Sequence, residues 1–251
     1  MPGPPTFTAR ELFDRSLATL VRSWTYFASG SAGAEVIELE GAVVATFVRP
    51  PESEFLNNTV LRRGVADLAA TLEAVERVYA ERGIARFAVW VHESEAATAA
   101  ELEARGYGYD SSTRTMAMPI AAFAAPEAIE LELVEPDLTD FHRAVGMPPG
   151  LFAELDPAGA EVYLARFEGA DAASLLAFDH GGDCGIYNLA TVPSARRRGL
   201  GTALTAHAVA AARERGCATA SLQSTAMAEA LYASLGFRDL GRFDEYVARE
   251  D

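Results

Sequence analysis

The chain has 251 residues, 50% of them hydrophobic, which suffices for one large or two small domains with packed cores. Its formal net charge of −15 would repel the phosphates of a nucleic acid. No segment is apolar over the roughly 18 residues that a membrane helix needs, and no basic leader precedes an apolar run. We therefore expect a cytoplasmic protein that binds neither nucleic acid nor membranes. Two cysteines, Cys184 and Cys217, lack the neighbours of a zinc site, so no metal site is predicted.

The first half of the chain alternates β-like runs with amphipathic, alanine-rich helices. A strand is predicted over residues 55–60, and a helix is predicted to end at Gly83. A second β-like run covers residues 86–92, and a further helix ends at Gly106. This order of elements predicts an α/β unit.

The second half repeats this order. Its helices are predicted to end at Gly216 and Gly236, and the glycines Gly106 and Gly236 stand 130 residues apart. An alanine-rich, low-complexity segment over residues 121–126 reads as the join between the halves. The sequence therefore predicts two copies of one unit. The alternative is that the similarity reflects only the alternation of strands and alanine-rich helices that is common in α/β chains.

The most informative segment is an arginine- and glycine-rich loop between a predicted strand and a predicted helix. Residues 186–192 are mainly β-branched and apolar, and residues 202–215 favour a helix. Between them the pattern Arg-x-x-Gly-x-Gly runs from Arg196 to Gly201. At a helix N-terminus the first amides lack partners and the helix dipole is positive, so this loop is predicted to bind a pyrophosphate. A glycine-capped surface turn is the alternative.

Two common phosphate loops do not fit. A P-loop needs a lysine after its second glycine, and the chain contains no lysine. A dinucleotide loop needs a third glycine, and the chain has Leu204 there.

The loop instead resembles the acetyl-CoA loop of the GNAT (GCN5-related) N-acetyltransferase superfamily. A second pattern, Leu-Tyr-x-x-x-Gly-Phe from Leu231 to Phe237, resembles a helix motif of the same superfamily. The two motifs come in the expected order and separation, and the resemblance extends over residues 129–247. It is specific to the superfamily and not to any one substrate.

The resemblance implies an α/β (α+β) fold of two GNAT-like units, each a mixed, mainly antiparallel central sheet flanked by helices. Residues 1–122 would form a degenerate GNAT-like domain without a cofactor loop, because Arg62, Arg63 and Gly64 offer a single glycine and too few residues to surround a pyrophosphate. Residues 123–251 would form the catalytic acetyltransferase domain.

The resemblance also implies acetyl-CoA as the cofactor. Its pantetheine arm would lie along the strand before the loop, and its pyrophosphate would lie on the loop amides. Arg196 would brace the loop, whereas Arg197 and Arg198 either bind the cofactor or are simply solvated. The predicted cofactor-binding residues are Leu189, Ala190, Thr191, Arg196, Arg197, Arg198, Gly199, Leu200, Gly201, Thr202 and Thr225, the last replacing a frequent asparagine of the superfamily.

Tyr232 is the predicted catalytic residue. A phenol is protonated at neutral pH and can hydrogen-bond or donate a proton to a departing thiolate. The alternative is an aromatic side chain that only packs at a helix end. No general base is predicted: His180 and Asp183 fit a solvated turn better, and Tyr187 is a weak candidate.

The resulting hypothesis is an acetyl-CoA-dependent N-acetyltransferase that acts by direct attack of a primary amine of a small molecule or peptide. The acidic net charge suits a cationic substrate. An acyl-CoA-binding sensor or scaffold with little or no turnover stays open, because no glutamate lies on or beside the cofactor strand. A dinucleotide-binding oxidoreductase is a third, weaker alternative. We expect a monomer or a homodimer.

Overall fold

The structure is a computed structural model that describes residues 5–49, 56–126, 131–134 and 154–248. Its contacts divide the chain into two compact units. Unit 1 consists of Met1–Ser23 and Arg114–Leu240, and unit 2 consists of Trp24–Thr113 and Gly241–Asp251. None of the described helices has the length and apolar composition that crossing a membrane requires.

The helices and strands follow the chain in a repeated order. The helices are α1 (Ala9–Ser29), α2 (Leu68–Glu81), α3 (Ala96–Ala104), α4 (Leu200–Glu214) and α5 (Glu229–Ser234). The strands are β1 (Glu35–Leu39), β2 (Ala42–Thr46), β3 (Asn58–Leu61), β4 (Ala88–His92), β5 (Tyr107–Pro119), β6 (Glu132–Val134), β7 (Glu161–Phe167), β8 (Ala170–His180), β9 (Asp183–Thr191), β10 (Thr219–Ser224) and β11 (Arg238–Ala248). The succession β1-β2-β3-α2-β4-α3-β5 is repeated as β7-β8-β9-α4-β10-α5-β11, as the sequence echo predicts.

Each unit contains a mixed, mainly antiparallel sheet. In unit 1, β10 pairs in parallel with β9, whereas β5 and β10, β9 and β8, β8 and β7, and β7 and β6 pair antiparallel. In unit 2, β3 and β4 pair in parallel, whereas β1 and β2, β2 and β3, and β4 and β11 pair antiparallel. The predicted fold class is therefore confirmed.

Each unit is completed by a strand from the opposite copy of the repeat. The last strand of the first copy, β5, pairs with β10 through Arg114–Pro119, which belong to unit 1. The last strand of the second copy, β11, pairs with β4 through residues 243–247, which belong to unit 2. Helix α1 likewise contributes its first residues to unit 1 and its last residues to unit 2.

This division into units differs from the domain boundary at residue 122 that the sequence predicts. Ile120 and Phe123 are buried in the core of unit 1, and Arg213 donates hydrogen bonds to both of their carbonyl oxygens (2.5 and 3.2 Å). The alanine-rich segment is thus a packed part of unit 1 and not a free linker. Its bulky, apolar flanking residues bury surface that a polar linker would leave in water.

Candidate functional site

Strand β9 has an open edge at the end that precedes the loop. Its parallel ladder with β10 runs from the pair Asp183 and Thr219 to the pair Ile186 and Leu222. Beyond Ile186, β9 continues to Thr191 and pairs in the described structure only with β8. Its other edge therefore offers unpaired amides and carbonyls, to which an extended ligand can add as a strand would.

A β-bulge marks the start of this open edge. The pairing of β8 with β9 shifts register between Ser174 and Leu176, opposite Asn188. Asn188 has a φ of 53°, a left-handed conformation that asparagine tolerates better than most residues. The asparagine on the strand is a signal that the sequence analysis left unused.

The loop after β9 leaves the N-terminus of α4 free. Gly199 occupies the N-cap position with a φ of 80°, and no side chain caps the helix. The amides of the first helical turn, beginning at Leu200, therefore keep their capacity to bind an anion. Arg196 links the loop to the end of β9, because its Nε donates to the carbonyl oxygen of Thr191 (3.1 Å). Arg197, with a φ of 62°, is exposed.

Arg198 is exposed and lies over an aromatic ring. Its guanidinium carbon is 4.8 Å from the centre of the Phe167 ring, a cation–π contact. Next to this pair is a cavity of about 210 Å³, which is also lined by Asp171, Val192 and Ser194. The cavity adjoins the loop and is large enough for part of a nucleotide.

Gly201 brings the predicted residues together. A Cβ at this position would lie 3.3 Å from Leu231, 3.6 Å from Leu189 and 3.9 Å from the hydroxyl of Thr191. The first turn of α4, the open edge of β9 and the helix that carries Tyr232 therefore meet at one point. A larger residue at Gly201 would press on Leu231 as well as on a ligand, so it is a poor probe of binding alone.

Tyr232 is almost entirely buried. The residue is 6% exposed and its ring packs edge-on against Phe237 at 5.8 Å. Within the described structure the hydroxyl has no hydrogen-bond partner, and its oxygen is not among the fully buried ones. Burial raises the pKa of Tyr232 to about 12, so the phenol stays protonated at any pH of practical use.

One residue, Asp183, differs in its surroundings from what the sequence suggests. Asp183 is 1% exposed and lies in β9, where it accepts hydrogen bonds from Thr219 (2.5 Å) and Ser221 (2.6 Å). The expectation of a solvated turn at Asp183 was wrong, because two hydroxyls on the neighbouring strand compensate the burial of its carboxylate. His180 is exposed, as expected, and Thr225 is exposed at the end of β10.

The arrangement fits an acyl-CoA. The open edge of β9 suits the amides of a pantetheine arm, the uncapped N-terminus of α4 suits a pyrophosphate, and the exposed arginines suit its charge. Across the described residues, no cluster of three or more histidine, cysteine or acidic side chains could hold a metal ion. Cys184 and Cys217 are buried free thiols.

Comparison with solved structures defines the class of fold. A GCN5-related N-acetyltransferase from Kribbella flavida superposes with a TM-score of 0.68 at 19% identity, covering 97% of this chain and 96% of that one. A GCN5-related N-acetyltransferase from Sphaerobacter thermophilus gives a TM-score of 0.60 at 16% identity, covering 97% and 93%. A tandem GNAT protein from the clavulanic acid biosynthesis pathway gives 0.57 at 13%, covering 98% of each chain. At sequence identities this low, the similarity shows a shared fold alone.

Part of the second half matches a known protein family by sequence. Residues 158–239 match the family model described as the acetyltransferase (GNAT) domain. The match covers about a third of the chain and includes both sequence motifs, so the resemblance drawn from those motifs is confirmed over these residues. No curated protein matches the chain by sequence.

Proposed function

We propose that this chain is an acetyl-CoA-dependent N-acetyltransferase, with its working site in unit 1 and a second, degenerate GNAT-like unit beside it in sequence. The observation that carries the proposal is the convergence at Gly201 of an uncapped helix N-terminus, an open strand edge and the helix of Tyr232. The acceptor is a primary amine of a small molecule or peptide. Nucleic acids and membranes are not partners in this proposal, and the working form is a monomer or homodimer.

The transfer would run by direct attack. The lone pair of a neutral amine forms a bond to the thioester carbonyl carbon, and the carbon–sulfur bond breaks with its electron pair going to sulfur. The amine nitrogen loses one proton and the CoA sulfur gains one, so the products are an amide and free CoA thiol. Leu189 lies in the part of β9 beyond its pairing with β10, and in this proposal its amide donates to the developing oxyanion.

Tyr232 serves this step as a hydrogen-bond donor. Its pKa of about 12 lies above that of an ordinary thiol, about 8.5, so complete transfer of its proton to sulfur is uphill by about 5 kcal/mol. A donated hydrogen bond carries no such cost and still stabilises the departing thiolate. The proton that finally neutralises the sulfur then comes from the amine or from solvent.

A second candidate, an acyl-CoA sensor without turnover, is favoured by one observation. Asp183, a carboxylate on the cofactor strand itself, is held by Thr219 and Ser221 and is not free to take a proton from an amine.

The test is single-turnover acetyl transfer by the parent protein and the Tyr232→Phe variant, with calorimetric titration of CoA alongside. We expect the transfer rate to fall by about 10²-fold or more, while the CoA dissociation constant stays within about twofold. The phenylalanine retains the ring that packs against Phe237, so folding should persist. Equal rates would reduce Tyr232 to a packing residue. Tight CoA binding without transfer to any amine would select the sensor.

A further inference from the structure

The last strand of the first copy lies beside the strand that leads to the helix of Tyr232. Strand β5 pairs with β10 from Arg114 to Pro119, and Arg114 is opposite Ser224, the final residue of β10. These residues of β5 belong to unit 1, together with α5 and the start of β11. The first copy therefore places a charged side chain at the end of β10.

The guanidinium of Arg114 connects the two ends of one segment. Its Nε lies 3.1 Å from a carboxylate oxygen of Glu229, in the first turn of α5. Its Nη1 donates to a carboxylate oxygen of Asp239, at the start of β11 (2.6 Å). A guanidinium is a rigid, planar fork, so it holds two carboxylates in a fixed relation to each other.

These ion pairs are partly exposed. The side chains of Arg114, Glu229 and Asp239 are 23%, 34% and 55% exposed. Solvent screens pairs of this kind, so they contribute little to the free energy of unfolding. What Arg114 supplies is therefore the relative position of α5 and β11 and not stability.

The segment between the two contacts contains Tyr232. Glu229 precedes Tyr232 by three residues, which places the two side chains next to each other on the helix surface. Phe237, whose ring packs against that of Tyr232, is two residues before Asp239. Within the described structure no hydrogen bond fixes the Tyr232 hydroxyl, so its position depends on the backbone of this segment.

Apolar side chains of β5 support the same segment. Met116 and Met118 alternate with Arg114 along the strand, so all three lie on one face of the sheet. Both methionines belong to the buried core that contains Tyr232. A Cβ at Gly236 would lie 3.7 Å from Cε of Met118. Strand β5 therefore contacts the segment through its core as well as through the ion pairs.

We infer that Arg114 is a positioning residue for Tyr232, so that the first copy of the repeat contributes to the working site of the second. This inference rests on the proposed function, in which the Tyr232 hydroxyl donates a hydrogen bond to the departing thiolate. A displacement of about 1 Å at the reacting groups costs about 10²-fold in rate, so fixing both ends of the segment matters for the transfer step.

The test is a double-mutant cycle between Arg114→Gln and Tyr232→Phe. The readout is single-turnover acetyl transfer to the faster of two acceptors, glucosamine and alaninamide. We expect Arg114→Gln to lower the rate about tenfold in the parent but less than about twofold in Tyr232→Phe, with the CoA dissociation constant within about twofold throughout. Arg114→Lys should restore part of the rate, since an ammonium group still pairs with one carboxylate.

A second readout needs no acceptor. Tyrosine is isotopically labelled at the ring carbon that bears the hydroxyl, and the NMR signal of Tyr232 is identified by its absence from Tyr232→Phe. We expect CoA to shift this signal in the parent, and Arg114→Gln to reduce the shift by about half or more while CoA still binds.

Arg242→Gln is the matched control. It removes an arginine that also contacts two carboxylates, those of Asp244 (2.8 Å) and Glu93 (3.9 Å). Arg242 lies on β11, the strand that the second copy contributes to unit 2. This variant should leave the transfer rate and the Tyr232 signal unchanged.

The inference is overturned if Arg114→Gln lowers the rate equally with and without the Tyr232 hydroxyl, because a merely structural role acts on both backgrounds alike. An unchanged rate and an unchanged Tyr232 signal would also overturn it. If Arg114→Gln does not fold, Glu229→Gln removes one of the two contacts at a partly exposed position and is judged by the same criteria. A Tyr232 signal that depends on Arg114 in a protein that acetylates neither amine would support the positioning role and count against the proposed enzyme.

Discussion

The two strand-to-helix connections of the repeat have the same place in the fold and opposite chemistry. In the first copy, Asp67 caps α2 by accepting from the amide of Ala70 (3.0 Å). Arg62 pairs with Glu38 at 2.7 Å, and Arg63 lies 3.8 Å from Glu95. In the second copy no side chain caps α4, and none of Arg196, Arg197 and Arg198 is paired with a described carboxylate.

This difference concerns whether the first amides of the helix are capped by a side chain. The N-cap carboxylate of Asp67 accepts from one of the first amides and places a negative charge where an anion would sit, which stabilises α2 and disfavours a pyrophosphate there. Helix α4 forgoes a cap, which costs on the order of 1 kcal/mol, and keeps its amides for a ligand. The two connections therefore differ in whether a side chain caps the following helix, and not only in their number of arginines.

The largest effect should come from a change at Trp90 in the first copy. Trp90 stands seven residues after Gly83, just as Gln223 in the second copy stands seven residues after Gly216. Trp90→Gln removes the ring that packs against Trp24 and Phe243 and the hydrogen bond to Asn58. We expect the free energy of unfolding to fall by about 3 kcal/mol or more. Denaturant titration measures it. A loss below about 1 kcal/mol would show that this position is not filled as described.

The next effect concerns the cap. Gly199→Asp should place a carboxylate at the N-cap of α4, and we expect CoA affinity to fall about 10- to 100-fold through competition for the amides and repulsion. Gly199→Asn is the matched control, since both residues adopt a positive φ but asparagine carries no charge. Calorimetry compares the three proteins. If the aspartate and asparagine variants bind CoA equally, the charge at the helix end does not matter.

The smallest effect is expected in the first copy. Changing Arg62, Arg63 and Gly64 together to alanine should leave CoA affinity unchanged, because this connection is already neutralised by Glu38 and Glu95. Saturation binding should give one CoA per chain. A second equivalent of CoA, or a loss of affinity in the triple variant, would contradict the assignment of the first copy as degenerate.

Local features of the site were predictable from the sequence, and long-range ones were not. The loop from Arg196 to Gly201 and the helix of Tyr232 follow from glycine positions and periodicity, which are local properties. The hydrogen bond from Gln223 to Ser16 of α1 could not be predicted from the sequence, because the two residues are far apart in the chain. The burial of Asp183 was missed for the same reason, since its partners Thr219 and Ser221 lie on a distant strand.

The exchange of β5 and β11 has a consequence for synthesis on the ribosome. The first copy of the repeat is translated long before residues 243–247, yet β4 pairs with exactly those residues in the finished protein. Until they emerge, one edge of β4 has no partner, and an unpaired strand edge invites aggregation. The two copies therefore do not fold one after the other as independent domains. Cutting the chain between them would separate β4 from β11 and β10 from β5.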